Sequence, residues 1–292
     1  MPELPEVETT VRDLKKKIVG LRFKDVWADR PKSVRQAGGI KNLNQIVKNK
    51  KILRVWRRAK FIVIDIEGPN SLFVHQKISG HLLYGRWKFE KGRWLSIGNG
   101  PMKSDPKNQH IRILFNLNNG FQLVLADLRR FGKIVLANDD IIDKLPEIKN
   151  LGPEPLEISY ADFKKLFPGK KGRLKQVLMD PYFIAGIGNI YSDEILWFAG
   201  LHPMSRVENL EKENIKKLYK HMQKVLVKAV ELKGSSMDDY RTISGRKGNF
   251  QNYQHAYHKT GEPCDKKDGG IIARLKIGGR SAHFCPIHQK IK

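Results

Sequence analysis

The chain opens Met1-Pro2-Glu3-Leu4-Pro5-Glu6, which sets a proline one removable residue away from a free amino terminus. Removal of Met1, expected because residue 2 is small, leaves Pro2 as a secondary amine. An α-amino group titrates near ~8, so part of it is neutral and nucleophilic at physiological pH, and a helix start lowers that value further. A secondary amine that attacks an aldehydic carbon forms an iminium cation, an electron sink suited to eliminating a β-phosphate. Glu3 adds a carboxylic acid able to move a proton at the same place. The same residues also fit ordinary helix chemistry, with proline at a first helical position and acids in the first turn. Two further groups attract attention. Cys264 and Cys285 are the only thiols and lie near the C-terminus, which excludes a secreted disulfide framework and leaves a metal site or free thiols. Ala185-Gly186-Ile187-Gly188-Asn189 is a glycine-rich turn opening a helix, either a plain turn or, with Asn189 as cap, a row of backbone N–H groups fit for a phosphate.

The elements that must position these groups follow from periodicity. Leu4, Val7, Val11, Leu14 and Ile18 recur at helical spacing, with acids early, Lys15 to Lys17 late and Gly20 just beyond. Between about residues 21 and 136, runs at 61–66, 71–75, 111–117, 121–125 and 133–136 are rich in β-formers and separated by Gly, Asn and Pro. A β-sandwich or barrel is expected there. After Asn138 the chain turns acidic and proline-containing, a linker over 138–158. Ser159 with Asp162 resembles a capping box, and Ile215, Leu218, Met222, Val225, Ala229 and Leu232 form one apolar stripe before Gly234. The tail from about 249 returns to glycine-rich, short-strand character.

Lys and Arg number 55 against 30 Asp and Glu in 292 residues, a formal charge of +25. That excess points to a polyanion. DNA, RNA, anionic membranes and ribosomal surfaces all fit the charge, with nucleic acid foremost. No stretch of about 18 uncharged apolar residues occurs, and the first residues are acidic where a secretory signal is basic and then apolar. The expectation is a soluble, intracellular protein of the cytoplasm and nucleoid, with no membrane partner.

Met1-Pro2-Glu3-Leu4-Pro5-Glu6-Val7-Glu8-Thr9 resembles the N-terminus of the formamidopyrimidine-DNA glycosylases, and the similarity continues along nearly the whole chain. The resemblance implies Pro2 as nucleophile at the sugar C1′, Glu3 as proton donor to the opening ribose and Glu6 as a supporting carboxylate. Leu4 is similar to the purine-excising branch; the related endonuclease VIII branch usually has Gly there. Lys60, in Trp56-Arg57-Arg58-Ala59-Lys60, is implied to bind phosphate beside the lesion, where a solvated basic strand edge is the plainer reading. His75-Gln76-Lys77-Ile78-Ser79-Gly80 and Asp127-Leu128-Arg129-Arg130-Phe131-Gly132 resemble two loops that enter the DNA stack. An enzyme acting on a base inside a duplex must evert it and fill the gap. Phe131 is then a stacking wedge and Arg129 the donor to the orphaned cytosine. Ile78 departs from the family, standing where Met is usual, with a stiffer β-branched side chain. The resemblance also places Asn189 on a phosphate, Glu194 in a supporting role, and Met237, Asp238, Asp239 and Tyr240 in the loop around an everted 8-oxoguanine.

At the C-terminus the family usually has a four-cysteine zinc hairpin, and this chain has Cys264, Asp268, Cys285 and His288. Asp268 stands one residue late, and Cys285-Pro286-Ile287-His288 keeps the spacing with His as fourth ligand. Imidazole and carboxylate both bind zinc, so one structural zinc per chain is expected on an atypical ligand set, with a metal-free hairpin as the alternative. Arg280 matches the arginine such hairpins present to phosphates. The resemblance implies an α+β multidomain fold: an N-terminal helix and β-sandwich over 1–137, the linker, a helix-two-turn-helix domain with the lesion loop over 159–248, and a zinc-finger-like β-hairpin over 249–292, with DNA in a basic cleft between them. The implied activity is a monomeric bifunctional glycosylase and AP lyase removing 8-oxoguanine and formamidopyrimidines from double-stranded DNA, and cutting abasic sites by β,δ-elimination. Excision of oxidised pyrimidines and non-catalytic binding of damaged DNA are the rivals.

Overall fold

A computed structural model describes residues 1–138, 145 and 148–292. Residues 139–144 and 146–147 of the expected linker lie outside the described residues. The chain divides into two compact units, one of residues 1–149 with 232–251, the other of 150–231 with 252–292. This differs from the consecutive segments expected: residues 232–248, read with the helices, join the first unit, and the C-terminal hairpin shares a unit with the helices.

The first unit starts with helix α1 (Leu4–Ile18), whose apolar stripe is buried and whose last turn carries Lys15, Lys16 and Lys17. Basic residues there complement the helix dipole, and Gly20 at φ +89° follows the end. Next come β1 (Phe23–Ala28), α2 (Gly39–Val47), β2 (Ile52–Arg58), β3 (Phe61–Ile66), β4 (Asn70–His75), β5 (Gly80–Gly85), β6 (Trp87–Glu90), β7 (Arg93–Ser96), the single turn α3 (Pro101–Ser104), β8 (Ile111–Leu117), β9 (Gln122–Asp127) and β10 (Lys133–Asn138). Two four-stranded antiparallel sheets, in the orders β1-β8-β9-β5 and β10-β4-β3-β2, make the expected sandwich. Val7, Val11, Leu14 and Ile18 of α1 share its core with Phe23, Ile62, Ile64, Leu82, Ile113 and Leu125. Each such side chain contributes about 1.5–3 kcal/mol by leaving water. The other face of β9, Val124 and Ala126, is covered by Trp87 and Leu114, which is why this strand lacks polar alternation.

The second unit holds α4 (Tyr160–Lys165), α5 (Leu174–Met179), α6 (Asn189–Ala199), α7 (Lys212–Glu231) and the antiparallel pair β11 (Ala273–Ile277) and β12 (Arg280–Phe284). Ser159 Oγ accepts the Asp162 N–H at 3.1 Å and so caps α4 as its sequence suggests. Ile215, Leu218, Met222, Val225 and Ala229 form the buried face of α7. None of the described helices is long and apolar enough to cross a membrane.

Candidate active site and metal cluster

Pro2 and Glu3 are both buried at the start of α1. Glu3 is the helix N-cap, and its N–H is taken at 2.8 Å by Glu6 Oε2 in a capping box. Glu6 Oε1 accepts the Ser235 N–H at 2.7 Å, so one carboxylate fixes both the chain start and the segment after α7. Gly234 leaves room for it: at φ +75°, a Cβ here would stand 2.7 Å from Glu6 Oε1. On the next turn, Glu8 binds Arg57 of β2 at 2.8 Å and Arg12 at 2.7 Å. Burial pushes the Glu8 carboxyl up, but the Arg57 and Arg12 guanidiniums outweigh it and hold the group below its usual range. Arg57 also reaches the Ala59 carbonyl at 3.2 Å, stiffening the turn in which Ala59 adopts φ +51° and Lys60 follows.

His75 ends β4 with its ring edge-on to Phe61, centroids 4.7 Å apart. Burial, then the charges of Lys77, Lys60 and Lys133, push the imidazole down to about 3, so it is neutral at physiological pH. Its Nδ1 accepts the Lys77 N–H at 3.0 Å, which leaves the proton on Nε2 as a donor beside these lysines. A neutral donor among cations suits a phosphate.

The two loops expected to enter DNA are tied together by one side chain. Asp127 Oδ1 accepts the Ser79 hydroxyl at 2.5 Å and the Arg129 N–H at 3.1 Å, while Oδ2 takes the Gly132 N–H at 2.6 Å. The tips stand out: Ile78 is 37% and Phe131 49% exposed, and the Arg129 guanidinium lies 4.9 Å over the Phe131 ring. Ile78 and Arg129 border a hollow of about 550 Å³ together with Met237, Asp238 and Asp239. Tyr240, next in sequence, is buried, its phenol pushed up by burial and by the Glu6 charge. The Met1 amine is 3.8 Å from Asp238 Oδ2, so the chain start reaches a wall residue of this hollow. Lys107 pairs with Asp239, and Arg241 with Asp105 at 2.5 Å.

In the second unit the turn before α6 departs from expectation in one respect. Gly188, in extended conformation, is the N-cap, and Asn189 is the first helical residue. A side chain at that position cannot fold back on its own helix start, and Asn189 Oδ1 has no hydrogen-bond partner among the described residues. The two acids of α6 hold the C-terminal module. Glu194 accepts the N–H groups of His255, Ala256 and Tyr257 at 2.9, 3.0 and 2.8 Å. Burial pushes its carboxyl up to about 7 against those three bonds. Asp193 accepts Lys175 Nζ at 2.5 Å and the His283 N–H at 3.0 Å. Arg280 is exposed where the Gly278–Gly279 turn enters β12.

Cys264, Asp268, Cys285 and His288 converge, their ligand atoms all within 4.8 Å of one another. Cys264 Sγ lies 3.6 Å from His288 Nδ1, and Cys285 Sγ 3.5 Å from Asp268 Oδ2. Ligands about 2.0–2.3 Å from a tetrahedral zinc stand roughly 3.3–3.8 Å apart. His288 Nε2 lies 3.1 Å from the Trp197 carbonyl, which fixes that nitrogen as donor and turns Nδ1 to the cluster. Gly270 is required there, since a Cβ would lie 2.4 Å from Cys285 Sγ. The donor set of two thiols, an imidazole and a carboxylate suits zinc; Asp268 Oδ2 and His288 Nδ1, at 2.9 Å, stand closer than the tetrahedral spacing, so this one pair must part slightly to complete a tetrahedron.

Sequence reasoning does not single out Asp127, Arg57, Glu8, Asp193 or Lys175. Asp127 begins the quoted Asp-Leu-Arg-Arg-Phe-Gly run, so a signal is there to be read. The others pair residues distant in sequence, which spacing along the chain does not report.

Family models match the formamidopyrimidine-DNA glycosylase N-terminal domain over residues 1–134 and its H2TH domain over residues 151–241. The chain is similar to a formamidopyrimidine-DNA glycosylase of Pelotomaculum thermopropionicum, 37% identical with both chains fully covered, and to one of Heliobacterium modesticaldum, 35% identical over 99% of this chain and all of that one. Among solved structures it resembles Lactococcus lactis Fpg in complex with DNA containing an abasic site, with TM-score 0.84, 31% identity and 99% of each chain covered. A complex of a mutant of that enzyme with DNA containing Fapy-dG matches with TM-score 0.84 and 31% identity, over 99% of this chain and all of that one.

Proposed function

This chain belongs to the formamidopyrimidine-DNA glycosylase family, and from that premise we propose how its own residues divide the work. It is a DNA glycosylase and AP lyase of base excision repair, acting on DNA that carries oxidised purines or abasic sites. With Met1 removed, the Pro2 nitrogen attacks C1′ of the everted nucleotide. The glycosidic bond breaks, the base leaves with its electron pair and a proton, and Glu3 delivers a proton to the ribose ring oxygen as it opens. The iminium then draws electrons from C2′, whose proton is lost, and the 3′-phosphate departs; δ-elimination expels the 5′-phosphate. Water finally releases Pro2.

The observation that carries this reading is the burial of Pro2 and Glu3 at a helix start beside the wall of the 550 Å³ hollow. Holding nucleophile and acid against an unstacked nucleotide supplies most of the rate. Glu6 supports both through the Glu3 and Ser235 N–H groups. Lys60, His75, Asn189 and Arg280 take phosphates, Ile78, Arg129 and Phe131 fill the gap left in the stack, and Met237, Asp238, Asp239 and Tyr240 form the loop at the everted base. Cys264, Asp268, Cys285 and His288 hold one zinc, which braces the hairpin that carries Arg280.

Incubation with 8-oxoguanine duplex and borohydride should trap a covalent adduct that maps to Pro2. An adduct on a lysine, or full activity with Met1 retained, rejects the assignment. Glu3→Gln should lower base removal at least 100-fold, on the scale of lost general-acid catalysis, with duplex affinity kept.

A further inference from the structure

A second hollow, of about 510 Å³, is lined in part by the loop that carries Phe131. Arg129 lines both hollows, which therefore meet at its side chain. The two differ in charge. In the first, Asp238 and Asp239 stand among four cations, Lys107, Arg129, Arg241 and Lys247; the wall of the second contains, among the described residues, no acidic side chain and six cations, Arg30, Lys32, Arg35, Arg129, Arg130 and Lys133, with Phe131 at its edge. Arg130 is held in place by Asp29 at 3.2 Å, which also binds Arg112 at 3.2 Å, and its backbone sits at φ +59°. A non-glycine residue keeps that conformation only where its surroundings impose it. Arg30, Lys32 and Arg35 are exposed, and none of them has a carboxylate partner among the described residues.

We propose that this second hollow is a binding site for the sugar-phosphate backbone of the undamaged strand. The inference rests on the reading of Arg129 and Phe131 as the residues that occupy the stack. If they fill the gap, the nucleotide that left it belongs to the strand on the side of the first hollow, where the 237–239 loop waits. The complementary strand then passes beyond Arg129, along the second hollow, whose wall is cationic. Such contacts fix the register of a duplex without reading its sequence. The protein thereby holds the intact strand while the wedge separates it from its partner, so that eversion does not become strand dissociation. Three basic residues remote from the chemistry become determinants of the preference for duplex over single-stranded substrate.

The test uses the full chain with Arg30, Lys32 and Arg35 all changed to Ala, and the same abasic oligonucleotide offered as a duplex and as a single strand. Duplex Kd should rise at least tenfold, and the slope of log K against log salt should become shallower by as much as about 2.7, roughly 0.9 for each phosphate no longer neutralised. Cleavage of the single strand and its yield of borohydride adduct should stay as in the parent. A control with Lys15, Lys16 and Lys17 changed to Ala removes the same charge from the exposed end of α1 and should leave duplex Kd within twofold. Unchanged duplex binding overturns the proposal, as does equal weakening for both DNA forms or an equal weakening in the control. If the parent traps no adduct on either DNA, it is the proposed function that fails instead.

Discussion

Asp127 shows how much can hang on one side chain. Its two oxygens take a hydroxyl and two backbone N–H groups from the loops that carry Ile78 and Phe131, and it is 1% exposed. Asp127→Ala leaves the buried Ser79 hydroxyl and the half-buried Gly132 N–H without their acceptor, while the Arg129 N–H keeps Ser79 Oγ, at a cost of about 1–3 kcal/mol. Chemical denaturation should report that loss. Both loop tips should loosen together, so discrimination of the base opposite the lesion should fall more than cleavage of a pre-formed abasic site. Stability within about 0.5 kcal/mol of the parent, the scatter of neutral surface changes, would show that the network is not needed. Glu6 belongs to the same class of residue: one carboxylate that fixes Glu3 and Ser235 at once.

At the scale of elements, α6 supports the C-terminal module through Glu194, and its burial gives a pH signature of known sign. The carboxyl is pushed above its ordinary value of 4.5 to about 7, so between those values the folded state binds more protons than the unfolded one. Stability contributed by this group is therefore full below pH 4.5 and is lost as pH rises through 7, by about 3 kcal/mol in all. Glu194→Gln should flatten that part of the stability–pH curve of the helical unit; an unchanged slope assigns it elsewhere. The hairpin gives a second prediction. Protein purified without chelator should carry about one zinc per chain if four protein ligands close the site, and Gly270→Ala, whose methyl would collide with Cys285 Sγ, should abolish it. Full zinc content in that variant would exclude this ligand set. Much of this scale is legible in sequence: α1 and the stripe of α7 have periods that declare themselves because burial of one face demands it, and the strand at 61–66 is a short continuous apolar run because both of its faces are buried. The N-cap of α6 is not, since Gly188 and Asn189 are both good caps and only the backbone decides between them.

For the molecule as a whole, a formal +25 on 292 residues makes counterion release a large term in DNA affinity. With 6–10 phosphates contacted, affinity should fall roughly 10³- to 10⁵-fold between 50 and 200 mM salt, and binding that ignores salt would contradict a backbone-dominated interface. The grouping of 232–251 with the sandwich could not be read from sequence, because nothing in Gly234-Ser235-Ser236 announces that its partner is Glu6, more than two hundred positions earlier. The sulfur content has a consequence of another kind. Both thiols of the chain sit in one cluster, 4% and 0% exposed, and there are no others. Thiol-specific reagents therefore find no target until the cluster opens, and then find two. An enzyme whose substrates are products of oxidation thus keeps all of its own cysteine at the one place where modification would be felt as the loss of the Arg280 hairpin, and a simple sulfhydryl colour reaction becomes a built-in reporter of that hairpin alone.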